Sequence, residues 1–232
     1  MNELLTHPPR VPLIAPSILS ADFGRIAEEC RAVLDAGADL LHLDVMDGHF
    51  VSNLTMGPDM CKAVRRHFPG VFIDVHLMIA EPAHFVEPFM EAGANNLTFH
   101  VEAVGEVAAA RDIANAIHDR GGTAGIAINP PTDVQRVLPL VEYFDMVLVM
   151  SVNPGYSGQS FISPVLEKVR AIAPLLRHEQ RLEMDGGIGP KEAIDCLAAG
   201  CDVIAAASSI FKKSDYRAAI TALREAAPAH SN

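Results

Sequence analysis

The sequence has no run of 18 apolar residues, so no segment reads as a membrane-spanning helix. It has no CxxC pair. Its four cysteines (Cys30, Cys61, Cys196 and Cys201) lie scattered along 232 residues. That spacing argues against a disulfide framework and predicts reduced thiols in a cytoplasmic setting. Positive charge is scarce, with 18 Lys and Arg against 29 Asp and Glu and a formal net charge of −11. Non-specific attraction to nucleic acid or to an anionic membrane surface is therefore not expected. Any phosphorylated ligand must be held by local donors, because the overall field repels it. The first residues, MNELLTHPPRVP, show neither the charged start nor the apolar core of a signal peptide. No linker or low-complexity stretch interrupts the chain, and only residues 1–10 and 228–232 read as loose ends. Finally, no strand-like run ends on lysine, which disfavours a Schiff-base aldolase.

Half of the residues are hydrophobic, enough for a sizeable core. They fall into strand-like runs near 12–18, 40–46, 72–78, 96–102, 123–129, 146–152, 181–187 and 203–209. Helical patterns fill the gaps near 22–36, 57–68, 83–92, 106–120, 132–140, 164–176, 191–199 and 214–226. Continuous apolar runs such as MVLVMSV suit strands covered on both faces. Eight such βα units predict an α/β fold of the TIM type, a single-domain (β/α)8 barrel over residues 1–232 with the barrel itself at about 12–227. An internal echo supports the repeat. Ala36-Gly37-Ala38-Asp39, Ala92-Gly93-Ala94-Asn95 and Ala199-Gly200-Cys201-Asp202 each close a helical pattern and open a strand. Glycine in the left-handed conformation is the usual terminator there.

Two imidazoles and two carboxylates stand out against this apolar pattern. His42 and Asp44 lie in LLHLDVM (40–46), His76 in FIDVHLM (72–78) and Asp185 in RLEMDGG (181–187). Residues two apart on a strand share a face, so His42 and Asp44 point the same way. Charged groups are rarely buried unless paired or bound to metal. Any one of these residues, taken alone, is more often a hydrogen-bonded structural group than a ligand. Four near one rim of a barrel predict a site for one divalent ion (Zn, Fe, Mn or Co). Asp44 and Asp185, on roughly opposite sides of the barrel, are candidate acid-base residues for the two faces of one carbon. His100 is expected to be supporting or structural, and Asp47, His49 and Asp74 to organise loops or orient ligands. Met46, Met78 and Met150 end their strands and predict an apolar wall that excludes water.

Glycine-rich loops follow the last three strands. They contain Gly155, Tyr156, Ser157 and Gly158, then Asp185, Gly186 and Gly187, then Ala207 and Ser208. Close backbone approach and free N–H groups make such loops phosphate sites, and the loops after strands 7 and 8 are the common position in these barrels.

Five segments together, APSILSADF (15–23), HLDVMDGHFVSNLTMGP (42–58), DVHLMI (74–79), MSVNPGYSGQSF (150–161) and MDGGI (184–188), closely resemble the ribulose-phosphate 3-epimerase family. The likeness runs from about Pro12 to Phe211. It implies metal ligands at His42, Asp44, His76 and Asp185, with Asp44 and Asp185 as the acid-base pair. It also implies substrate contacts from Ser17 and His76 and phosphate contacts from Gly155 through Gly158, Asp185 through Gly187, and Ala207-Ser208. The implied reaction inverts C3 of ribulose 5-phosphate through an enediolate, in the pentose phosphate pathway, with no organic cofactor. The implied partners are a small phosphosugar and, in a homo-oligomer, copies of the chain itself. An epimerase for allulose 6-phosphate and another phosphate-binding barrel enzyme are the alternatives. Ser52, Met56, Ser157 and Ala207 depart from the usual family residues.

Overall fold

Eight apolar runs become eight parallel strands in the computed structural model, which describes residues 3–226. They are β1 (Leu13–Pro16), β2 (Leu41–Met46), β3 (Ile73–Met78), β4 (Asn96–His100), β5 (Thr123–Ile128), β6 (Met146–Met150), β7 (Arg181–Asp185) and β8 (Val203–Ala206). Every strand residue is buried, as the unbroken apolar runs require. The hydrogen-bonded order is β1-β8-β7-β6-β5-β4-β3-β2, and the two ends meet in one parallel bridge between Ser17 and His42. The sheet is thus a nearly closed barrel. The expected loose end at 228–232, and residue 227 of the expected barrel, lie outside the described residues.

Helices cover the outside. After α1 (Glu3–Thr6) come α2 (Ile26–Asp35), α3 (Pro58–His67), α4 (Val86–Ala92), α5 (Val107–His118), α6 (Leu166–Ile172), α7 (Pro190–Ala199), α8 (Ser208–Phe211) and α9 (Tyr216–Arg224). The main core lies between strands and helices and includes Leu41, Leu43, Ile73, Val75, Phe89 and Ile117. The inward faces of β2, β3, β4 and β7 are polar instead, carrying His42, Asp74, Asn96 and Glu183, all fully buried. Leu5 of α1 packs with Leu13, Leu40, Phe72 and Val203 and covers the opposite end.

One expected helix is absent. Between β5 and β6, where the pattern at 132–140 predicted an α-helix, the chain makes two tighter 3-10 turns, Val134–Arg136 and Leu138–Tyr143. Pro139 interrupts the span: it has no N–H to donate, and its ring excludes the preceding carbonyl. Elsewhere the periodic segments form helices close to their expected positions.

The thrice-used turn behaves as read. Gly37, Gly93 and Gly200 have φ of 106°, 97° and 112°. Ala38, Ala94 and Cys201 donate back to Val33, Phe89 and Cys196, five residues earlier, which is the Schellman closure. The last residue of each echo also fastens the neighbouring strand. Asp39 accepts from the Ile14 N–H, Asn95 from the Ile73 N–H and Asp202 from the Leu182 N–H, all at 2.8 Å. Asp39 is further clamped by Arg10 at 2.9 Å and by Arg224 of α9 at 2.8 Å. Among the described residues, no helix is long and apolar enough to cross a membrane.

Candidate active site

Alternation along β2 sends both His42 and Asp44 into the barrel mouth, and β3 and β7 bring His76 and Asp185 beside them. One ligand atom from each of these four lies within 4.8 Å of all the others, and all four residues are buried. His42 Nε2 is 3.3 Å from Asp44 Oδ1, and His76 Nδ1 is 3.1 Å from the same oxygen and 3.7 Å from Asp185 Oδ2. His42 Nε2 is buried with no hydrogen-bond partner. A buried ring nitrogen without a partner is costly, whereas a cation displacing any proton there would satisfy it and balance the two carboxylates. Two imidazoles plus two carboxylates suit a first-row divalent ion, so the residues present fit a metal.

The surroundings push these groups in opposite directions. Burial raises Asp44, but the charge and closeness of His42, with His76 beside it, outweigh it, and the carboxyl falls below the ordinary range. Burial, then the charge of Asp44, lifts Asp185 to about 7. Burial brings His76 down to about 4. Burial also works against charge on His42, but Asp44, Glu183 and Asp74 prevail and raise it well above 6.5.

A second layer holds the first. His42 Nδ1 lies 2.6 Å from Asp74 Oδ2, and Asn96 donates to the other Asp74 oxygen at 2.7 Å. Asp74 thus sits where it can fix the ring of His42. Asp47 is a loop organiser, accepting from the N–H groups of His49, Phe50 and Ala80. Ser17 donates to Asp44 Oδ2 at 2.5 Å. It is fully buried beneath the cleft and bonded to the carboxylate; it is not among the residues lining the opening. Glu183 was missed by sequence reasoning. It is fully buried, 3.3 Å from His42 Nδ1, with both oxygens lacking hydrogen bonds. Burial, then the charge of Asp74, raises it to about 8. The signal was available: Glu183 stands two residues before Asp185 on the same strand face, an acid inside an apolar run.

Above the cluster opens a cleft lined by Asp44 and Asp185, with Met46, Met78 and Met150 as its apolar wall. The expected loop residues also line it: Gly155, Tyr156, Ser157 and Gly158, with Gly186, Gly187, Ala207 and Ser208 facing them. Two glycines are sterically required. A Cβ on Gly186 (φ 116°) would meet Val152 Cγ2 at 2.5 Å, and one on Gly187 (φ 64°) would meet the Gln159 carbonyl oxygen at 2.6 Å. The β6 and β7 loops therefore touch through backbone. Gly187→Ala should push them apart. We expect KM for a phosphorylated substrate to rise about tenfold, equivalent to ~1.4 kcal/mol, with kcat less affected. Steady-state kinetics beside a melting curve would check this, and an unchanged KM would detach the loop from substrate binding.

Fold and site together define a class: a (β/α)8 barrel with a buried His2Asp2 cluster at its mouth that could hold a cation, flanked by glycine-rich loops. The model of the ribulose-phosphate 3-epimerase family matches residues 13–211, and the chain belongs to that family. Curated ribulose-phosphate 3-epimerases are similar over nearly their whole length. That of Mycobacterium bovis is 45% identical over 224 residues, covering 95% of each chain. That of Escherichia coli is 42% identical over 215 residues, covering 91% of this chain and 94% of its own. Among solved structures, 3-keto-L-gulonate-6-phosphate decarboxylase from Vibrio cholerae superposes with a TM-score of 0.71 at 14% identity, covering 94% of this chain and 97% of its own. That likeness is one of fold.

Proposed function

We propose that the protein inverts C3 of D-ribulose 5-phosphate to give D-xylulose 5-phosphate, the reaction its family name denotes. The observation that carries this is the pairing of Asp44 and Asp185, which meet at the mouth of the barrel beneath a cleft walled by glycine-rich loops. Inversion beside a ketone requires one group to remove a proton and another to return one on the opposite face. The surroundings bias the two carboxyls apart, with Asp44 ionised and Asp185 prone to keep its proton near neutral pH. Asp44 is thus the base and Asp185 the acid in this direction, with the roles exchanged in reverse. When bound by His42, Asp44, His76 and Asp185, one divalent cation (Zn, Fe, Mn or Co) would supply Lewis-acid stabilisation of the enediolate charge. Ser17 fixes the free oxygen of Asp44, the three methionines exclude water, and the loops from Gly155 to Gly158, Gly186-Gly187 and Ala207-Ser208 hold the phosphate. The reaction as proposed runs without an organic cofactor.

A cytoplasmic setting is supported by four buried free thiols and by a rice relative named as a cytoplasmic isoform. A homo-oligomer is proposed on the family resemblance. The test of function is direct. Ribulose 5-phosphate incubated with the protein in D2O should give xylulose 5-phosphate carrying deuterium at C3. Unphosphorylated ribulose should react at least ~10²-fold more slowly in kcat/KM, because remote binding energy orients the reacting carbon. Equal turnover of the two sugars would refute the phosphate cradle, and a greater rate on allulose 6-phosphate would reassign the substrate.

A further inference from the structure

Behind His76 lies a second buried imidazole that the proposed reaction does not use. His100 ends β4, fully buried beneath the ring of Phe50 at 4.9 Å between centroids. Its ring meets that of His76 edge to edge, the planes 24° apart, and the two Nε2 atoms are 2.8 Å apart. Two neutral imidazole nitrogens at that distance bond only if one carries a hydrogen and the other a lone pair. The far end of the chain of contacts decides which. His100 Nδ1 is 3.2 Å from Glu102 Oε2, and Glu102 Oε1 accepts the Asn129 N–H at 2.9 Å. Burial raises Glu102, but hydrogen bonds from His100, Thr132 and Asn129 outweigh it and bring it to about 2. An ionised carboxylate only accepts, so the hydrogen of His100 sits on Nδ1. His100 Nε2 then offers a lone pair, His76 Nε2 donates to it, and the His76 lone pair is left on Nδ1. That nitrogen is the one 3.1 Å from Asp44 Oδ1 and 3.7 Å from Asp185 Oδ2.

We infer that Glu102 and His100 are positioning residues that set the tautomer of His76, keeping Nδ1 bare and ready to ligate a cation. The inference rests on the metal reading above. Asp44 pulls the other way, since its Oδ1 would accept a hydrogen from His76 Nδ1. Each arrangement leaves one pair of acceptors face to face, but a cation would satisfy both His76 Nδ1 and Asp44 Oδ1, whereas a His100 lone pair against the Glu102 carboxylate would be left with nothing between them. The two cluster histidines accordingly use opposite nitrogens. His42 points Nε2 at Asp44 with Asp74 on its Nδ1, and His76 points Nδ1 with His100 on its Nε2. Such outer partners typically change metal affinity by ~10–100-fold when removed.

Glu102→Gln tests the relay with little change of shape. Asn129 N–H still needs an oxygen, so the new amide must turn its NH2 toward His100 Nδ1. That reverses every donor in the chain and places a hydrogen on His76 Nδ1. Zn²⁺ affinity, measured by competition with a chromophoric chelator, should fall ~10–100-fold, with the metal-free melting temperature changing little. An unchanged affinity would overturn the inference. A second measurement needs no variant. Imidazole ¹⁵N–¹H correlation spectra of the Zn²⁺-loaded parent protein should show His100 protonated at Nδ1 only and His76 at Nε2 only. A doubly protonated His100, or one protonated at Nε2, in a protein that binds Zn²⁺ would overturn the relay. Failure of the parent to bind Zn²⁺ would instead overturn the metal reading.

Discussion

Asp185→Asn is expected to lower conversion of ribulose 5-phosphate to xylulose 5-phosphate by ~10²–10⁴-fold, the usual reach of acid-base catalysis, while C3 of ribulose 5-phosphate still exchanges with D2O. Asn keeps the shape of Asp but cannot deliver the proton. Asp44, intact and ionised, can still remove and return a proton on its own face. Asp44→Asn should show the complementary pattern, exchanging C3 of xylulose 5-phosphate in preference. Both carboxylates are candidate cation ligands, so metal content must be measured on the same samples. A fully metallated variant of either kind that epimerised at the parent rate would refute the two-base mechanism. The signature is the split between exchange and inversion, which general damage to the site would not produce.

Chelation should abolish turnover, and Zn²⁺, Mn²⁺ or Co²⁺ should restore it. His42→Ala or His76→Ala should lose metal and rate together, by ~10²-fold or more if each histidine supplies one of four ligands. His42→Ala also strips Asp74 of its partner at 2.6 Å, so circular dichroism is needed to show a folded variant. Proton competition gives an independent check. Asp185 is raised to about 7 and His42 well above 6.5, so below these values protons occupy groups the cation needs. Apparent Zn²⁺ affinity should therefore fall as pH drops through about 7 and strengthen above it. Full activity in a verified metal-free sample would sink the assignment.

The barrel was legible because its information is local. Continuous apolar runs name strands covered on both faces, and a glycine after each helix names the turn. The segment before β6 misled because an apolar pattern at helical spacing does not reveal how Pro139 removes a donor from a short span. The four cluster residues were legible because polar side chains inside apolar runs must converge on something. Glu183 breaks the same rule, but Asp185 at the strand end two residues later accounts for the acidic pattern and masks it. What a sequence does not carry is which nitrogen of an imidazole faces inward. That depends on partners such as Asp74 and His100, which lie on neighbouring strands and are brought to 2.6 and 2.8 Å only by the register of the sheet. Likewise, Ser17 reads as a loop residue near the substrate, and only the closed barrel turns it toward Asp44.

Seven ladders bind the strands to their neighbours, whereas β1 and β2 share a single bridge at Ser17 and His42. The cylinder thus has a lengthwise slit. At its floor Asp39 buttons the slit, gripping the Ile14 amide, Arg10 and Arg224. At its mouth the fastening is the Ser17 hydroxyl on Asp44, the carboxylate assigned to move the proton. Chemistry and closure therefore share one clasp. A change at Asp44 is felt at the seam beside the first strand as well as in the cleft.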